Sequence, residues 1–344
     1  MLDAQGGGGM RFADEVTVRV RLGDAVVAVR SRVKLVLETV AEFYPLATVD
    51  QAPSWTFTAE AAPADGATIH TGFGVGVDLD RRHRSVRLRS ESAFSLAVTT
   101  RKLVREVFLE SCETAGYTMV HASAVYNDEQ VIVFAADKRG GKTTLALRCV
   151  LDHGWRWLSN DHLILLRDRE RGLLATSLPT PIPVKAGTVV DLWDRLPEPW
   201  DFNDFDVDHW RRIPPSERYR ADDAVYFTFS RFQQANPVLL PLKNLRIALV
   251  FPSYLSAADG EAPVVSEVGA VSSAGALADH LRLDWLTEGR LSERFIASSH
   301  RDAMTFARDG VRLTGQLAAT ASSMRYQHAG DPAPLLHFLR EKAS

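Results

Sequence analysis

The stretch FAADKRGGKTTLALR, residues 134–148, constrains the fold and the chemistry of this chain more than any other segment. It begins where the apolar run VIVF (131–134) ends, and such a run is typical of a strand buried on both faces of a sheet. Residues 143–153 carry a helical pattern that stops at Gly154, a residue type that commonly ends helices. The sequence therefore predicts a strand, a glycine-rich loop and a helix, with the loop at the edge where α/β folds bind ligands.

The loop follows the phosphate-binding pattern G-x-x-x-x-G-K-[ST] in all but its first position. Gly141, Lys142 and Thr143 match it, while Ala136 replaces the first glycine, which alanine can do only where φ stays negative. In such a loop the backbone N–H groups and the helix N-terminus bind a polyphosphate, the lysine neutralises the β and γ phosphates, and the hydroxyl ligates Mg²⁺. A chance Gly-Gly-Lys-Thr turn is the alternative, but the flanking strand and helix favour a phosphate site. The expected binding residues are Ala136, Asp137, Lys138, Arg139, Gly140, Gly141, Lys142, Thr143 and Thr144.

Composition argues against several other classes of protein. A formal net charge of −3 is not that of a general nucleic-acid or anionic-membrane binder. No apolar run approaches the roughly 18–20 residues of a membrane span, and the first residues lack the basic and apolar regions of a secretion signal. Two cysteines are too few for a disulfide framework or a zinc cluster. We therefore expect a cytoplasmic protein without nucleic-acid or membrane partners. A homo-oligomer is compatible with the sequence, which does not determine the oligomeric state.

Patterning divides the chain into three parts. Residues 1–110 are expected to form a small α+β unit, because apolar and polar residues alternate on both sides of a Gly-Asp pair, as in a β-hairpin. Residues 111–270 are expected to form an α/β nucleotide-binding core, with a long irregular insertion rich in Pro and Trp at about 178–222. Residues 271–344 are predicted to be a mostly helical tail. The elements predicted are a hairpin at 14–30, helices at 32–44 and 96–115, and strands at 55–60, 67–73, 85–90, 117–126, 129–136, 155–166, 224–232 and 245–254.

Residues 121–166, HASAVYNDEQVIVFAADKRGGKTTLALRCVLDHGWRWLSNDHLILL, resemble the core of the HPr kinase/phosphorylase-like proteins. In that family a His-containing strand precedes the phosphate loop, and the next strand ends in an acidic pair. The nucleotide-binding core of the family is related to that of phosphoenolpyruvate carboxykinase. The resemblance covers about 50 of the 344 residues and is weak elsewhere. It implies a P-loop core of the HPr kinase type.

The resemblance also implies roles for individual residues. Lys142 and Thr143 match the phosphate lysine and the Mg²⁺ hydroxyl of the family, and His121 matches the strand histidine. Asn160 and Asp161 fall where the family has two aspartates, of which the first is a general base and the second helps to hold Mg²⁺. Because an asparagine accepts no proton, we expect Asn160 to orient the acceptor hydroxyl by a hydrogen bond. The alternative proton acceptors are Asp161, His162 and His121. The expected catalytic residues are Lys142, Asn160, Asp161 and His121, and the expected metal ligands are Thr143 and Asp161.

The chain departs from the family after this core, because LPTPIPVKAGT (178–188) stands where the HPr-recognition run is found. The resemblance is to variants found beside peptide-modification and other biosynthetic genes. It implies an ATP- (or GTP-) and Mg²⁺-dependent kinase that phosphorylates a hydroxyl of a peptide or small molecule. One alternative is a nucleotide-binding regulatory or pseudokinase module, which Ala136 and Asn160 favour. The other is an NTP-using ligase or nucleotidyltransferase.

Each further candidate residue has a structural alternative. His121 could be a hydrogen-bonded sheet histidine, Asp161 could cap a turn, and Arg139 could face solvent. The cations that could fold over the site, or be ordinary surface residues, are Lys185, Arg220 and Arg231. The aromatic residues that could line an acceptor pocket, or pack under a long loop, are Trp193, Trp200, Phe205 and Trp210.

Overall fold

A computed structural model describes residues 11–201, 204–234, 237–255, 262–283, 295–296 and 301–342 of the chain. These residues form a mixed α/β protein with several sheets. The strands are β1 (Arg11–Leu22), β2 (Ala25–Val33), β3 (Trp55–Glu60), β4 (Ile69–His70), β5 (Gly76–Asp80), β6 (Ser85–Arg89), β7 (Thr118–Val120), β8 (Ala122–Tyr126), β9 (Gln130–Ala135), β10 (Arg156–Ser159), β11 (Leu163–Asp168), β12 (Gly172–Ser177), β13 (Ile182–Lys185), β14 (Ala224–Phe227), β15 (Leu240–Pro241), β16 (Arg246–Tyr254), β17 (Val264–Glu267) and β18 (Ser322–His328). The helices are α1 (Lys34–Phe43), α2 (Ala93–Thr114), α3 (Lys142–His153), α4 (Ala186–Leu192), α5 (Val207–Arg212), α6 (Pro215–Arg218), α7 (Ala270–Ala278), α8 (Ala303–Thr320) and α9 (Ala333–Glu341).

The chain forms two compact units. The first comprises the described residues of Met1–Thr114, Ala235–Pro237 and Thr287–His300, and the second those of Ala115–Gln234, Val238–Leu286 and Arg301–Ser344. The first unit is a six-stranded mixed sheet in the order β1-β2-β3-β6-β5-β4, on which α1 and α2 pack. Its predicted hairpin is confirmed, because β1 pairs antiparallel with β2 around Gly23, which has φ +63°.

The second unit is built on a six-stranded sheet in the order β10-β8-β9-β16-β18-β17. Strands β9, β16 and β18 are mutually parallel, and β8 and β17 run antiparallel to their neighbours. Because β10 also pairs antiparallel with β8, it runs in the same direction as β9. The carboxyl ends of four strands therefore meet at one edge of the sheet, where the predicted phosphate loop follows β9.

Side chains of β9 alternate between two cores, as the pleat of a strand requires. Ile132 and Phe134 pack on the face covered by α3, α9 and the β13–β14 ribbon. Val131 and Val133 pack on the opposite face, against α8 and a four-stranded antiparallel sheet in the order β15-β12-β11-β7. Burial on both faces explains the continuous apolar run in the sequence.

Two segments that the sequence predicts as single strands each divide between two sheets. The segment 117–126 enters the antiparallel sheet as β7 and continues in the main sheet as β8, with the break at His121. The segment 155–166 forms β10 in the main sheet and β11 in the antiparallel sheet, with the break at residues 160–162. Both breaks lie at the edge that carries the predicted phosphate loop, because Ala122 pairs with Ala135, the last residue of β9, and Ser159 pairs with Ala124.

The predicted helical tail is wrong at β18. This strand joins the main sheet between β16 and β17, and its buried residues Met324, Tyr326 and His328 alternate with exposed ones. The helical prediction failed because the strand is stabilised by partners distant in sequence and lies between two helices. Residues 284–294, 297–300 and 343–344 of the predicted tail lie outside the described residues.

The prediction of an irregular insertion at about 178–222 is wrong in part. Ile182–Lys185 forms a strand whose partner, Ala224–Phe227, lies about forty residues later in the chain, and α4, α5 and α6 lie between them. The sequence did not predict this pairing because prolines are rare within strands, and the prolines of this segment therefore indicated a loop. Residues 202 and 203 lie outside the described part. Among the described helices, none combines the length and the apolar character that a bilayer span requires.

Candidate functional site

The candidate site lies in the second unit, at the carboxyl edge of its main sheet. Residues 136–141 connect β9 to α3, and the helix begins at Lys142 without a side-chain hydrogen bond capping its N-terminus. The predicted helix end is also confirmed, because Gly154 has φ +70°. The first backbone N–H groups of a helix have no partner within the helix, and the helix dipole makes them attractive to anions. The loop is therefore arranged as a phosphate site requires.

Ala136 satisfies the condition that the sequence sets for it. Positive φ occurs among the described non-glycine residues at Arg84, Arg139, Asp204 and Gln233, and not at Ala136. Its methyl group occupies the space beside Gly140, where an added Cβ would lie 2.6 Å from that of Ala136 and 3.0 Å from the carbonyl oxygen of Pro252. The loop accommodates alanine at the first position because Gly140 has no side chain.

Lys142 is buried and its ammonium group is directed at the loop. Its Nζ donates hydrogen bonds to the carbonyl oxygens of Ala136, at 2.6 Å, and Asp137, at 3.2 Å. Burial lowers the pKa of Lys142, opposed by the negative charges of Asp161 and Asp137. The lysine thus closes the loop on itself, and a polyphosphate would offer it stronger, charge-assisted acceptors than two carbonyl groups.

A histidine that the sequence analysis did not single out supports the loop from β18. His328 is fully buried, its Nε2 lies 3.1 Å from the carbonyl oxygen of Gly140, and its Nδ1 accepts the N–H of Gly330. Gly141 has φ +85°, and a Cβ there would lie 2.7 Å from Nε2 of His328. Glycine is required at residue 141 for both reasons. The alternation of Met324, Tyr326 and His328 is the sequence signal that indicates this strand.

The two strand breaks bring the predicted acid–base residues together. His121 Nε2 lies 3.6 Å from Oδ1 of Asp161, and both side chains are partly exposed to the same cavity. Burial alone would raise the pKa of Asp161, but contact with His121 and the charges of His162, His121 and Lys142 outweigh it, so the pKa is lowered. The carboxylate is therefore ionised at neutral pH.

Asn160 does not take the position that the sequence analysis expects. It is buried, and its Oδ1 accepts a hydrogen bond from the hydroxyl of Thr143 at 3.2 Å. It is not among the residues that line the cavity, whereas Thr143 and Asp161 are. Its Nδ2 has no hydrogen-bond partner within the described residues. Asn160 thus holds the hydroxyl of Thr143, and its side chain is not part of the cavity lining.

The cavity in front of the loop has a volume of about 690 Å³, within the size range of small-molecule sites. Its walls contain five cationic side chains and two carboxylates. The residues that line it are His121, Lys138, Arg139, Gly141, Lys142, Thr143, Thr144, Asp161, Pro183, Lys185, Thr188, Pro215, Ser216, Tyr219, Arg220, Ala221, Asp222 and Tyr254. The insertion forms one side of this cavity, since residues between Pro183 and Asp222 are in its lining. It is joined to α3 by a hydrogen bond of 2.7 Å between Thr144 and Thr188 of α4.

The remaining predicted candidates divide into two groups. Arg139, Lys185 and Arg220 line the cavity, whereas Arg231 lies elsewhere and pairs with Glu198 at 3.8 Å. The aromatic candidates do not line the cavity: Trp193 and Phe205 pack against the core. The cavity has two other aromatic residues, Tyr219 and Tyr254, whose ring centroids lie 5.5 Å apart. Tyr219 also packs on Gly187, where a Cβ would lie 2.7 Å from its ring. No signal in the sequence distinguishes these two tyrosines from other aromatic residues.

Within the described residues, no group of three or more His, Cys, Asp or Glu side chains is arranged to hold a metal ion. Mg²⁺ needs no such group, because it is commonly held by one or two carboxylates, substrate phosphates and water. The carboxylate of Asp161 and the hydroxyl of Thr143, which line one cavity, fit that requirement. No protein-family model matches this chain, and a search of curated proteins gave no significant match.

Proposed function

We propose that this protein is a kinase that transfers the γ-phosphoryl group of ATP, or GTP, to a hydroxyl group of a peptide or small molecule. The observation that carries the proposal is the convergence of three features on one cavity. These are the uncapped N-terminus of α3 with Lys142, the hydroxyl of Thr143, and the His121–Asp161 pair. The first binds phosphate groups, the second suits a metal, and the third can handle a proton.

The nucleotide would be held by its phosphates. Lys142 and the backbone N–H groups of the loop contact the β and γ phosphates, and the ammonium group leaves the carbonyl oxygens of Ala136 and Asp137 to do so. Thr143 and Asp161 are the residues that would hold Mg²⁺, which when bound neutralises charge on the phosphates. Asn160 keeps the hydroxyl of Thr143 oriented.

The proton of the acceptor must leave as the new bond forms. The acceptor oxygen bonds to the γ-phosphorus, the bond from that phosphorus to the bridging oxygen breaks, and ADP departs with the electron pair. His121 takes the proton of the hydroxyl, and the Asp161 carboxylate, at 3.6 Å from Nε2, stabilises the resulting imidazolium. Positioning and charge supply most of the acceleration in phosphoryl transfer, so a weak base suffices.

We also propose that the second unit contains a nucleotide-binding core of the HPr kinase type. It is supported by the order of the parts, since His121 precedes the loop strand and residues 160–161 follow the next strand at the same edge. Strands β9, β16 and β18 also give the loop the parallel setting in which α/β proteins bind ligands.

A nucleotide-binding module without transfer is the second candidate. It is favoured by the position of Asn160, which is buried against Thr143 and offers no carboxylate to the cavity. If this candidate is correct, His121 is a structural residue, and its replacement by glutamine leaves the fate of the nucleotide unchanged.

Product analysis distinguishes these functions. The protein is incubated with ATP, Mg²⁺ and a panel of hydroxyl-containing peptides and metabolites, and the nucleotide product and the acceptor mass are measured. ADP together with an acceptor heavier by one phosphate supports the kinase. AMP or a nucleotide adduct supports a ligase or nucleotidyltransferase, and Mg²⁺-dependent binding without turnover supports the module.

Lys142→Ala provides the main variant, with Lys243→Ala as its control. Lys243 is an exposed lysine of the same unit that does not line the cavity. We expect Lys142→Ala to weaken ATP binding by at least about tenfold, because a charge-assisted contact contributes ~1.5–3 kcal/mol. Equal ATP binding by both variants and the unmodified protein would contradict the assignment of the loop as a phosphate site.

A further inference from the structure

Three cationic side chains from two different elements converge on one carboxylate in the cavity wall. Oδ1 of Asp222 lies 3.0 Å from Nζ of Lys138, 3.1 Å from Nζ of Lys185 and 3.9 Å from Nη2 of Arg139. Lys138 and Arg139 belong to the phosphate loop. Lys185 is the last residue of β13 and pairs with Ala224, which lies two residues after Asp222. All four side chains line the cavity. The wall therefore contains a cationic subsite in which a carboxylate already fits.

This subsite is distinct from the phosphate position of the loop. Lys142 is buried and bonds to loop carbonyl groups, whereas Lys138, Arg139 and Lys185 have exposed side chains in the cavity wall. Two of these three belong to the loop itself, so an anion in the subsite would lie next to a nucleotide held by Lys142.

The backbone of the loop is strained at this subsite. Arg139 has φ +73°, a conformation that costs free energy for any residue with a side chain. Its Nη2 donates to the carbonyl oxygen of Arg220 at 2.9 Å. The strained residue thus lies in the cavity wall with its guanidinium beside Asp222, and an outlier of this kind often occurs where a protein binds a ligand.

Asp222 is held in the subsite by exposed ion pairs. Its side chain is 61% exposed, so water screens its ion pairs and each contributes little to stability. The subsite has three positive charges and one negative charge, which leaves a surplus of two. Lys138 and Lys185 hold the pKa of Asp222 at about 2, so the carboxylate stays ionised at any physiological pH. An incoming dianion would compensate the charge of the subsite better than Asp222 does.

We propose that the acceptor carries an anionic group, a carboxylate or a phosphate, which displaces Asp222 and binds Lys138, Arg139 and Lys185. This inference rests on the proposed kinase function, since it names the class of acceptor for the same cavity. The acceptor is thus an acidic hydroxyl compound, or a peptide whose reacting hydroxyl lies close to an acidic group. Asp222 occupies the subsite when no acceptor is bound.

Calorimetric titration with three small probes tests the proposal. Glycerol 3-phosphate and malate represent the phosphate and carboxylate sources, and glycerol is the uncharged control. Each is titrated into the full chain with saturating Mg²⁺ and ADP, and again without nucleotide. We expect the two anions to bind and glycerol not to bind, and the tighter anion identifies the source. Failure of both anions to bind under either condition would overturn the inference.

Two variants tie binding to the subsite. Asp222→Asn should raise the affinity for the anions, because the competing carboxylate is gone, whereas Lys185→Ala should lower it by about tenfold, the effect of one charge-assisted contact. Lys243→Ala is the control. Unchanged affinities in both variants would contradict the assignment. ADP is also titrated into the same samples, so that the two proposals are tested separately. Absence of ADP binding would refute the proposed kinase function. The probe titrations without nucleotide would still show whether the subsite binds anions.

Discussion

The imidazole of His328 and the peptide group of Gly140 are joined by a contact of 3.1 Å from Nε2 to the carbonyl oxygen. Nδ1 of the same ring accepts the N–H of Gly330 at 2.9 Å, so the proton resides on Nε2 and the ring is neutral. Burial lowers the pKa of His328, while the contact with Gly140 opposes this effect. Strand β18 thus supports, through His328, the loop that precedes α3.

Substitution of Gly141 should separate backbone strain from the contact with His328. Gly141 and Gly154 flank the same helix with φ of +85° and +70°, but only Gly141 has a neighbour where a Cβ would lie. We expect either alanine variant to lose ~1–2 kcal/mol of unfolding free energy from the left-handed backbone. Only Gly141→Ala should lose more and also weaken ATP binding. Denaturant unfolding and calorimetry measure the two quantities, and equal effects at both glycines would show that His328 imposes no steric limit.

His328 should make the stability of the fold depend on pH. Its folded pKa lies below the ordinary value of 6.5, so the unfolded chain binds a proton first as the pH falls. Its contribution to stability is complete above pH 6.5 and is lost as the pH falls towards the folded pKa, at a slope of at most about 1.4 kcal/mol per pH unit. His280, whose pKa burial also lowers, contributes with the same sign.

Unfolding midpoints between pH 5 and 8 test this expectation, with His328→Gln as the variant and His153→Gln, at an exposed position, as the control. The pH slope should diminish in the first and persist in the second. A slope unaffected by His328→Gln would assign the pH dependence to other groups.

Asp161→Asn should remove the metal dependence of nucleotide binding. The substitution retains the size of the side chain but removes the charge that faces His121 and the cavity. We expect phosphoryl transfer to fall by about 10²- to 10⁴-fold, and ATP to bind equally with and without Mg²⁺. Asp128→Asn, at a carboxylate that is 91% exposed and pairs with Arg156, is the control. Retention of the Mg²⁺ effect in Asp161→Asn would place the metal elsewhere.

An aspartate at residue 160, as in the HPr kinase/phosphorylase-like proteins, should not provide a base. Asn160 is 3% exposed and lies outside the cavity lining, so Asn160→Asp buries a carboxylate beside the hydroxyl of Thr143. We expect a loss of ~1–3 kcal/mol in unfolding free energy and no gain in rate. Because burial raises the pKa of such a carboxyl, the loss should diminish as the pH falls through that pKa. A faster enzyme of unchanged stability would contradict this geometry.

The sequence was sufficient to predict the strand, loop and helix that form the site. It was not sufficient to predict the residues from other segments that contact them. The apolar run before the loop, the helix after it and Gly154 follow from periodicity and backbone preferences, and the structure has all three. His328 and Asp222 were missed because their positions depend on pairings between residues distant in the chain, Pro252 with Tyr326 and Lys185 with Ala224. Local patterns carry no information on such pairings, although the alternation within β18 indicated a strand.

The break of predicted strands at His121 and Asn160 has a related cause. Each segment has strand-like residues on both sides of a few polar ones, so its pattern is compatible with one long strand or with two short ones. Only the presence of a second sheet on the main sheet's other face makes the chain change partners there. The exchange places polar residues at the sheet edge without interrupting either core.

The distance in sequence between Gly140 and His328 has a consequence for translation. The two residues are 188 positions apart, so a ribosome adding roughly 5–20 residues per second finishes the loop about 10–40 s before it reaches the histidine. Until then the nascent chain lacks the strand that shapes the loop. Ribosome-bound chains arrested before His328 should therefore have little affinity for nucleotide compared with the full-length chain.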